Sequence, residues 1–259
     1  MTGQDLRSEH ALVTGANRGI GAEVVRALVA RGAAVTLLAR DRAAAAALVA
    51  TLPAGAHTHV VTADVTDRAA LLAACADAAR ALGPVTILVN NAGSVESVPF
   101  LKSDDGLFER MLALHLMGAV TATRAVLPAM LERGAGRVVN VASVAGLAGA
   151  PYVAHYVAAK HALVGLTRAL AAEFAGKGVT VNAVCPGYTD TDLVTRSLAR
   201  ITAKTGRSAE EARAAILADA RQPRLVLPEE VAAAVVAFCT PDAADRTGEA
   251  LLLMGGEPA

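Results

Sequence analysis

TGANRGIG, residues 14–21, follows the apolar run ALVTG and opens a stretch of helical character, with glycines at 15, 19 and 21. Glycine lets a backbone approach a ligand closely, and the unpaired N–H groups at a helix start favour an anion, so phosphates could sit against this loop. The spacing is GxxxGxG, not the GxGxxG of the usual dinucleotide fingerprint, and taken alone it also suits a plain glycine turn before a helix. The rest of the chain decides what the loop belongs to. Short β-branched runs recur at ALVTG (from 11), VTLL (35), THVVTAD (58), VTILVNN (85), RVVNVAS (137), VTVNAV (179) and ALLLMGG (250). Between them lie alanine-rich stretches of helical character at 20–31, 42–51, 68–82, 104–132, 152–176 and 228–239, the last with Pro228 at its start.

Runs of four to six apolar residues without polar alternation suit strands covered on both faces. The expectation is therefore an α/β fold: a doubly wound, Rossmann-type parallel sheet of seven strands with helices on both faces. A chain of 259 residues can bury one large core, and a single domain spanning 1–259 is expected. Residues 192–224 are polar and helical in character without a strand of their own, and read as an insertion or substrate lid.

Charge and cysteines narrow the partners. With 24 basic and 24 acidic residues the formal charge is zero, so no bulk field draws in nucleic acid or an anionic membrane. Cys75, Cys185 and Cys239 are odd in number and have no CxxC spacing, which fits reduced thiols in a cytoplasm and makes a structural metal site improbable. The opening MTGQDLRSEH does not read as a signal segment, and no later stretch approaches eighteen uncharged apolar residues.

In dinucleotide folds an acidic residue at the end of the second strand takes the adenosine ribose and repels a 2′-phosphate. Here that strand ends at Ala39 and Arg40. Arg40 and Arg18 offer two guanidinium groups to a 2′-phosphate, which points to NADP(H), with NAD(H) as the alternative if Asp41 takes the ribose instead.

In AHYVAAKHALVGL, residues 154–166, Tyr156 and Lys160 stand four apart and share a helix face, in a chain with only three tyrosines. An ammonium beside a phenol lowers its pKa from about 10, by about 1.4 kcal/mol per unit. The same spacing also suits a packed ring and a solvated amine. The company of the pair weighs for chemistry. With TGANRGIG, Asp64–Val65 after the third strand, NNAG at 90–93, Ser143 after the fifth, Tyr156-xxx-Lys160 and PGYTDT at 186–191, the sequence resembles the short-chain dehydrogenase/reductase family along nearly its whole length.

The resemblance implies a catalytic Ser143, Tyr156 and Lys160: Tyr156 as acid/base, Lys160 tuning it and binding the nicotinamide ribose, Ser143 polarising the substrate carbonyl. It also implies that Gly15, Arg18, Gly19, Ile20 and Gly21 line the pyrophosphate and that Asp64 and Val65 meet the adenine side. Asn91 and Gly93 would lie beside the cofactor, and Pro186, Gly187, Thr189 and Thr191 near its carboxamide and phosphates. Where the family has an asparagine whose main-chain carbonyl holds a relay water, this chain has His115 in LALHLMG, residues 112–118. The backbone can keep that role with the imidazole filling space, the side chain can join the relay, or the histidine is simply packed. The expected function is hydride transfer between NADP(H) and a carbonyl or secondary alcohol. The alternatives are an NAD-dependent 3-hydroxyacyl or alcohol dehydrogenase and a non-catalytic dinucleotide-binding regulator. The intact Ser143, Tyr156 and Lys160 argue against the last.

Specificity is expected from loops 94–102 and 144–153 and from segment 192–224. The second loop is small and apolar and suits an uncharged group beside the carbonyl. The third carries seven basic residues, among them Arg196, Arg200, Lys204 and Arg207, against four acidic ones, which suits the phosphates of a thioester carrier or an ordinary solvated helix. The resemblance also implies a homo-oligomer, dimer or tetramer, through the long helices at 104–132 and 152–176.

Overall fold

The computed structural model describes residues 5–256, without the side chain of Lys204. Seven parallel strands, β1 (His10–Thr14), β2 (Ala34–Ala39), β3 (Thr58–Thr62), β4 (Ile87–Asn90), β5 (Gly136–Val141), β6 (Val179–Pro186) and β7 (Ala250–Leu253), form one sheet in the order β3-β2-β1-β4-β5-β6-β7. The order reverses between β1 and β4, and the crevice beyond the carboxyl ends of these strands is where open α/β sheets bind ligands. Each of the seven predicted strand runs holds a strand.

The helices are α1 (Gly19–Ala30), α2 (Arg42–Val49), α3 (Arg68–Leu82), α4 (Asp105–Leu112), α5 (Gly118–Arg133), α6 (Ala154–Glu173), α7 (Asp192–Thr205), α8 (Ala209–Asp219) and α9 (Pro228–Cys239). Alternate strand residues point to opposite sheet faces, which makes two cores. Ala11, Val13, Val35, Leu37, Ile87 and Val89 pack against α1 and α9, whereas Leu12, Leu38, Leu88, Val138 and Val181 pack against α3, α5 and the end of α6. Burying an aliphatic side chain of this size gains about 1.5–3 kcal/mol, so a strand with both faces covered is fixed in register as well as in place.

The helix expected as one piece over 104–132 is interrupted. Between α4 and α5 lies a π-helical turn, Ala113–Met117, with His115 at its centre. Such a turn inserts an extra residue and marks functional positions in many helices. Within Asp105–Arg133 a window of 18 residues is long and apolar enough to cross a membrane by composition. Its apolarity serves the fold, because Leu107, Met111, Ala122, Val126 and Met130 are buried in core clusters.

Candidate active site

The glycine loop is shaped by close approach. Gly15 and Gly19 have φ of +64° and +50°, in the left-handed region that favours glycine. A Cβ on Gly21 would stand 2.2 Å from the Gly15 carbonyl oxygen and 2.6 Å from Asn91 Nδ2. Asn91 closes the arrangement from β4 by donating to the carbonyls of Thr14 and Gly15 at 3.0 and 3.1 Å, and its own N–H donates to Thr14 Oγ1 at 3.0 Å. At the start of α1 no side chain caps the helix and no acidic residue occupies the first turn, so its N–H groups face outward with Arg18 exposed beside them and Ile20 half-buried. Gly21→Ala is expected to destabilise the protein by about 1–3 kcal/mol, because overpacking here meets backbone. Thermal unfolding in the absence of ligand checks this, and melting within a degree of wild type would show that the loop yields freely.

At the end of β2, Ala39 is the last strand residue and Arg40 the first exposed one. Asp41 is engaged as the N-cap of α2, accepting from Ala44 N at 3.0 Å. Asp64 accepts from Thr66 N and Oγ1 at 2.9 and 2.7 Å and lies 3.5 Å from Arg40, and these contacts hold its carboxyl below the usual range. Val65 is buried against Gly118, and Gly93 lies open at the surface over His115. On the far side, Pro186 ends β6, and Gly187 leaves no room for a Cβ beside Gln222 Oε1, 2.3 Å away. Thr189 is buried and bridges to Val226, while Thr191 stands at the start of α7 without capping it and donates its hydroxyl to the Thr189 carbonyl at 3.3 Å.

The end of β5 gathers the remaining expected residues. Lys160, 4% exposed, donates from Nζ to the carbonyl of Val141 at 2.8 Å. Ser143, in extended conformation, accepts from Ala145 N at 3.1 Å and donates to the Pro186 carbonyl at a long 3.4 Å. Its hydroxyl stands beside the Tyr156 phenol and pulls the phenol's pKa down. Tyr156 and Lys160 share the inner face of α6, with Nζ 5.6 Å from the ring centroid.

The direction of the tyrosine shift differs from the sequence expectation. Burial pushes the phenol up to about 12, outweighing the Ser143 hydroxyl that pulls it down, and burial brings the lysine down to about 8. The reason is geometric: Nζ is aimed at the Val141 carbonyl and both groups are taken out of water, so desolvation is the largest influence on each.

His115 is buried edge-on to Tyr156, with ring centroids 5.2 Å apart, and its Nε2 bonds to the Ser94 carbonyl at 2.8 Å. Burial, reinforced by the Lys160 charge, holds the imidazole down to about 3. It is neutral throughout the physiological range, so a relay that needs it to gain and lose a proton near pH 6.5 does not fit. His155 bonds to the Glu96 carbonyl at 2.9 Å, and Val98 N donates to the carbonyl of Tyr152 at 2.8 Å. Loop 94–98 is thus tied at three points, to the π turn, to Tyr152 and to α6. Tyr152 holds a φ of +65°, a strained value for a side-chain-bearing residue. His161 faces outward.

Sequence reasoning missed Asn90, whose amide donates to Asn140 Oδ1 at 2.9 Å, and Gln222, which clamps both the N–H and the carbonyl of Tyr188. NNAG contained the first signal, but nothing in the sequence pointed to the second. The three cysteines are free and buried.

The model of the short chain dehydrogenase family matches residues 9–201. A protein named inactive 2-(S)-hydroxypropyl-CoM dehydrogenase 2, from Xanthobacter autotrophicus, is 42% identical over 91% of this chain and 100% of its own. A putative ketoacyl reductase of Streptomyces coelicolor is 39% identical over 96% of this chain and 97% of its own. The crystal structure of a tryptophan-for-phenylalanine variant of actinorhodin polyketide ketoreductase with NADPH superposes with a TM-score of 0.90 at 39% identity, covering 98% of both chains. With the sheet order, the glycine loop and the serine, tyrosine and lysine at the end of β5, these likenesses make the chain a member of the short-chain dehydrogenase/reductase family, an oxidoreductase acting between a carbonyl and an alcohol.

Proposed function

We propose that the protein is an NADP(H)-dependent ketoreductase whose substrate class is the 3-oxoacyl thioester. The observation that carries the reading is the meeting of Ser143, Tyr156 and Lys160 at the carboxyl end of β5. The loop fits a dinucleotide: glycine at 15 and 21 lets it close tightly onto Asn91 and Ala92 with no side chain in the way, and the α1 N-terminus, without a side-chain cap, offers N–H groups to a phosphate. Gly15, Arg18, Gly19, Ile20 and Gly21 would hold the pyrophosphate, Arg18 and Arg40 the 2′-phosphate, Asp64 and Val65 the adenine, and Asn91, Gly93, Pro186, Gly187, Thr189 and Thr191 the nicotinamide half. When bound, NADPH supplies the hydride.

The protein's own part is the proton and the oxygen. Ser143, whose bond to Pro186 is long, turns its hydroxyl to the substrate oxygen, and Tyr156 gives that oxygen its proton. A phenol pushed up to about 12 keeps its proton at neutral pH, which suits the reductive direction. Lys160 holds positive charge beside the phenol and a donor for the nicotinamide ribose. Asp41 is exposed but its carboxylate is engaged as a helix cap, and the Arg40 guanidinium stands exposed beside it, 3.5 Å from Asp64, which favours NADP(H) over NAD(H).

The chain acts as one catalytic domain, with 192–224 as its lid. The helices α7 and α8 pack chiefly on each other, and Arg196, Arg200 and Arg207 are exposed there as a handle for a phosphate-bearing carrier, whereas Arg224 is bound to Glu230 at 2.7 Å. Copies associate through α5 and α6. One panel tests the reading: 3-oxoacyl thioesters, their free ketones and secondary alcohols, each with both cofactors. NADPH is expected to be preferred, and Arg40→Asp to cut kcat/KM for NADPH about 10–100-fold, the value of one charge-assisted bond of about 1.5–3 kcal/mol. Equal use of NADH by the wild type defeats the cofactor assignment. Equal rates for thioester and ketone, unchanged on neutralising Arg196 and Arg200, defeat the thioester.

A further inference from the structure

The lid segment begins just after β6 and returns just before α9, and one side chain, Gln222, joins its two ends. Gln222 is 4% exposed. Tyr188 N donates to its Oε1 at 2.9 Å, and its Nε2 donates to the carbonyls of Tyr188 and Arg224 at 2.8 and 2.6 Å. These partners leave one way to place the amide, because an N–H must meet its oxygen and carbonyls must meet its nitrogen. Both amide hydrogens are used.

An amide that takes both the N–H and the carbonyl of one residue repeats what a neighbouring residue does in a strand ladder. It lengthens a short pairing beside it, in which Thr189 bridges to Val226, Val226 N donates to the Tyr188 carbonyl and Asp190 N donates to the Val226 carbonyl, both at 2.9 Å. The chain bears two constraints to place this amide. Arg221, the residue before it, holds a φ of +52° in the left-handed region, and residue 187 is a glycine whose Cβ would meet Oε1. A conformation kept against such strain is a reason to look for function.

Tyr188 is what the amide holds. Its ring is half-buried. Burial pushes its phenol up, and the carboxylate of Asp219, the last residue of α8, adds to that; Tyr188 in turn is among the groups that raise Tyr156. The phenol is therefore within electrostatic reach of both the catalytic tyrosine and the lid.

We propose that Gln222 is a positioning residue: by holding Tyr188 at both of its main-chain polar groups it fixes the tyrosine ring as a wall of the substrate pocket, and so selects which face of a ketone meets the hydride. Gln222 acts through Tyr188 and not on the substrate. The two faces are told apart by a difference in transition-state contacts, and a wall free to move shrinks that difference. The stereochemical part rests on the reductase reading; the clamp itself does not.

Hydrogen exchange in the cofactor-free wild type needs no turnover, and the Tyr188 amide is expected to be protected. Gln222→Met keeps most of the volume and removes the amide; there Tyr188 is expected to exchange about 10–100-fold faster while the amides of β6 keep their rates. With NADPH and a prochiral 3-oxoacyl thioester, the same variant is expected to raise KM about tenfold, keep kcat within about threefold and lower the ratio of product enantiomers about tenfold. Tyr188→Ala is expected to lose as much of that ratio, and Gln222→Met in its background to add little, since the two changes act along one path. A wild-type Tyr188 amide that is unprotected, or one that exchanges no faster in Gln222→Met, overturns the clamp. An unchanged enantiomer ratio in Tyr188→Ala overturns the positioning role, and does so even if Gln222→Met fails to fold. Additive losses in the double variant, or equal enantiomers from the wild type, overturn it as well. If the wild type reduces no ketone, the reductase reading fails and the stereochemical role with it, while slow exchange at Tyr188 still upholds the clamp.

Discussion

Tyr156→Phe is expected to lower kcat about 10²–10⁴-fold, the usual worth of a positioned acid, while dinucleotide affinity stays within a few-fold of wild type. The substitution deletes one oxygen and leaves the ring in place, so the edge contact with His115 at 5.2 Å survives. What is lost is the proton that burial keeps on the phenol, beside the Ser143 hydroxyl. Single-turnover assays with cofactor titrated by fluorescence separate the two effects. Turnover within tenfold of wild type would show that the proton comes from elsewhere, and loss of both turnover and binding would show a disturbed fold. The same comparison bears on the non-catalytic alternative. A regulator would bind the dinucleotide with or without the hydroxyl, and the wild type would not turn over the panel.

How much of this was legible in the sequence depends on range. Strands such as VTVNAV and helices such as 68–82 are written in local periodicity, and the order of motifs along the chain located the loops at the carboxyl ends of β1, β4, β5 and β6. The π turn is not written in local periodicity, and it sits where the chain is crowded: a Cβ on Gly93 would stand 2.8 Å from His115 Cε1, and one on Gly118 would stand 3.1 Å from Val65 Cβ. The bonds that run Asn90, Asn140, Thr167 were hidden for a similar reason. They cross from β4 to β5 to α6, residues 50 and 27 apart in sequence. The direction of the tyrosine shift was misread because spacing shows which charge is near but not how much water is excluded. Only the packed structure shows that Nζ serves Val141 and that desolvation is the largest influence on the phenol.

Lys160→Met is expected to be nearly inactive and, near neutral pH, more stable than the wild type. An ammonium that is 4% exposed and brought from 10.5 down to about 8 by burial costs the folded state about 3 kcal/mol wherever both states are protonated. Removing it leaves the Val141 carbonyl without its donor, at about 1–2 kcal/mol, while methionine fills most of the volume. The charge penalty is the larger, so the variant is expected to melt about 2–6 °C higher at pH 7. The pH dependence identifies the cause. Between about 8 and 10.5 the unfolded wild type binds a proton that the folded form does not, so wild-type stability rises with pH across that window and the variant's does not. The advantage of Lys160→Met should therefore shrink above pH 8 and reverse by pH 10. Melting curves of both proteins without cofactor from pH 6 to 10 measure this, and a difference constant across the range would mean that the lysine is not desolvated as its burial implies. A site that gains stability on losing its charged residue holds that residue for chemistry, at a cost to the fold.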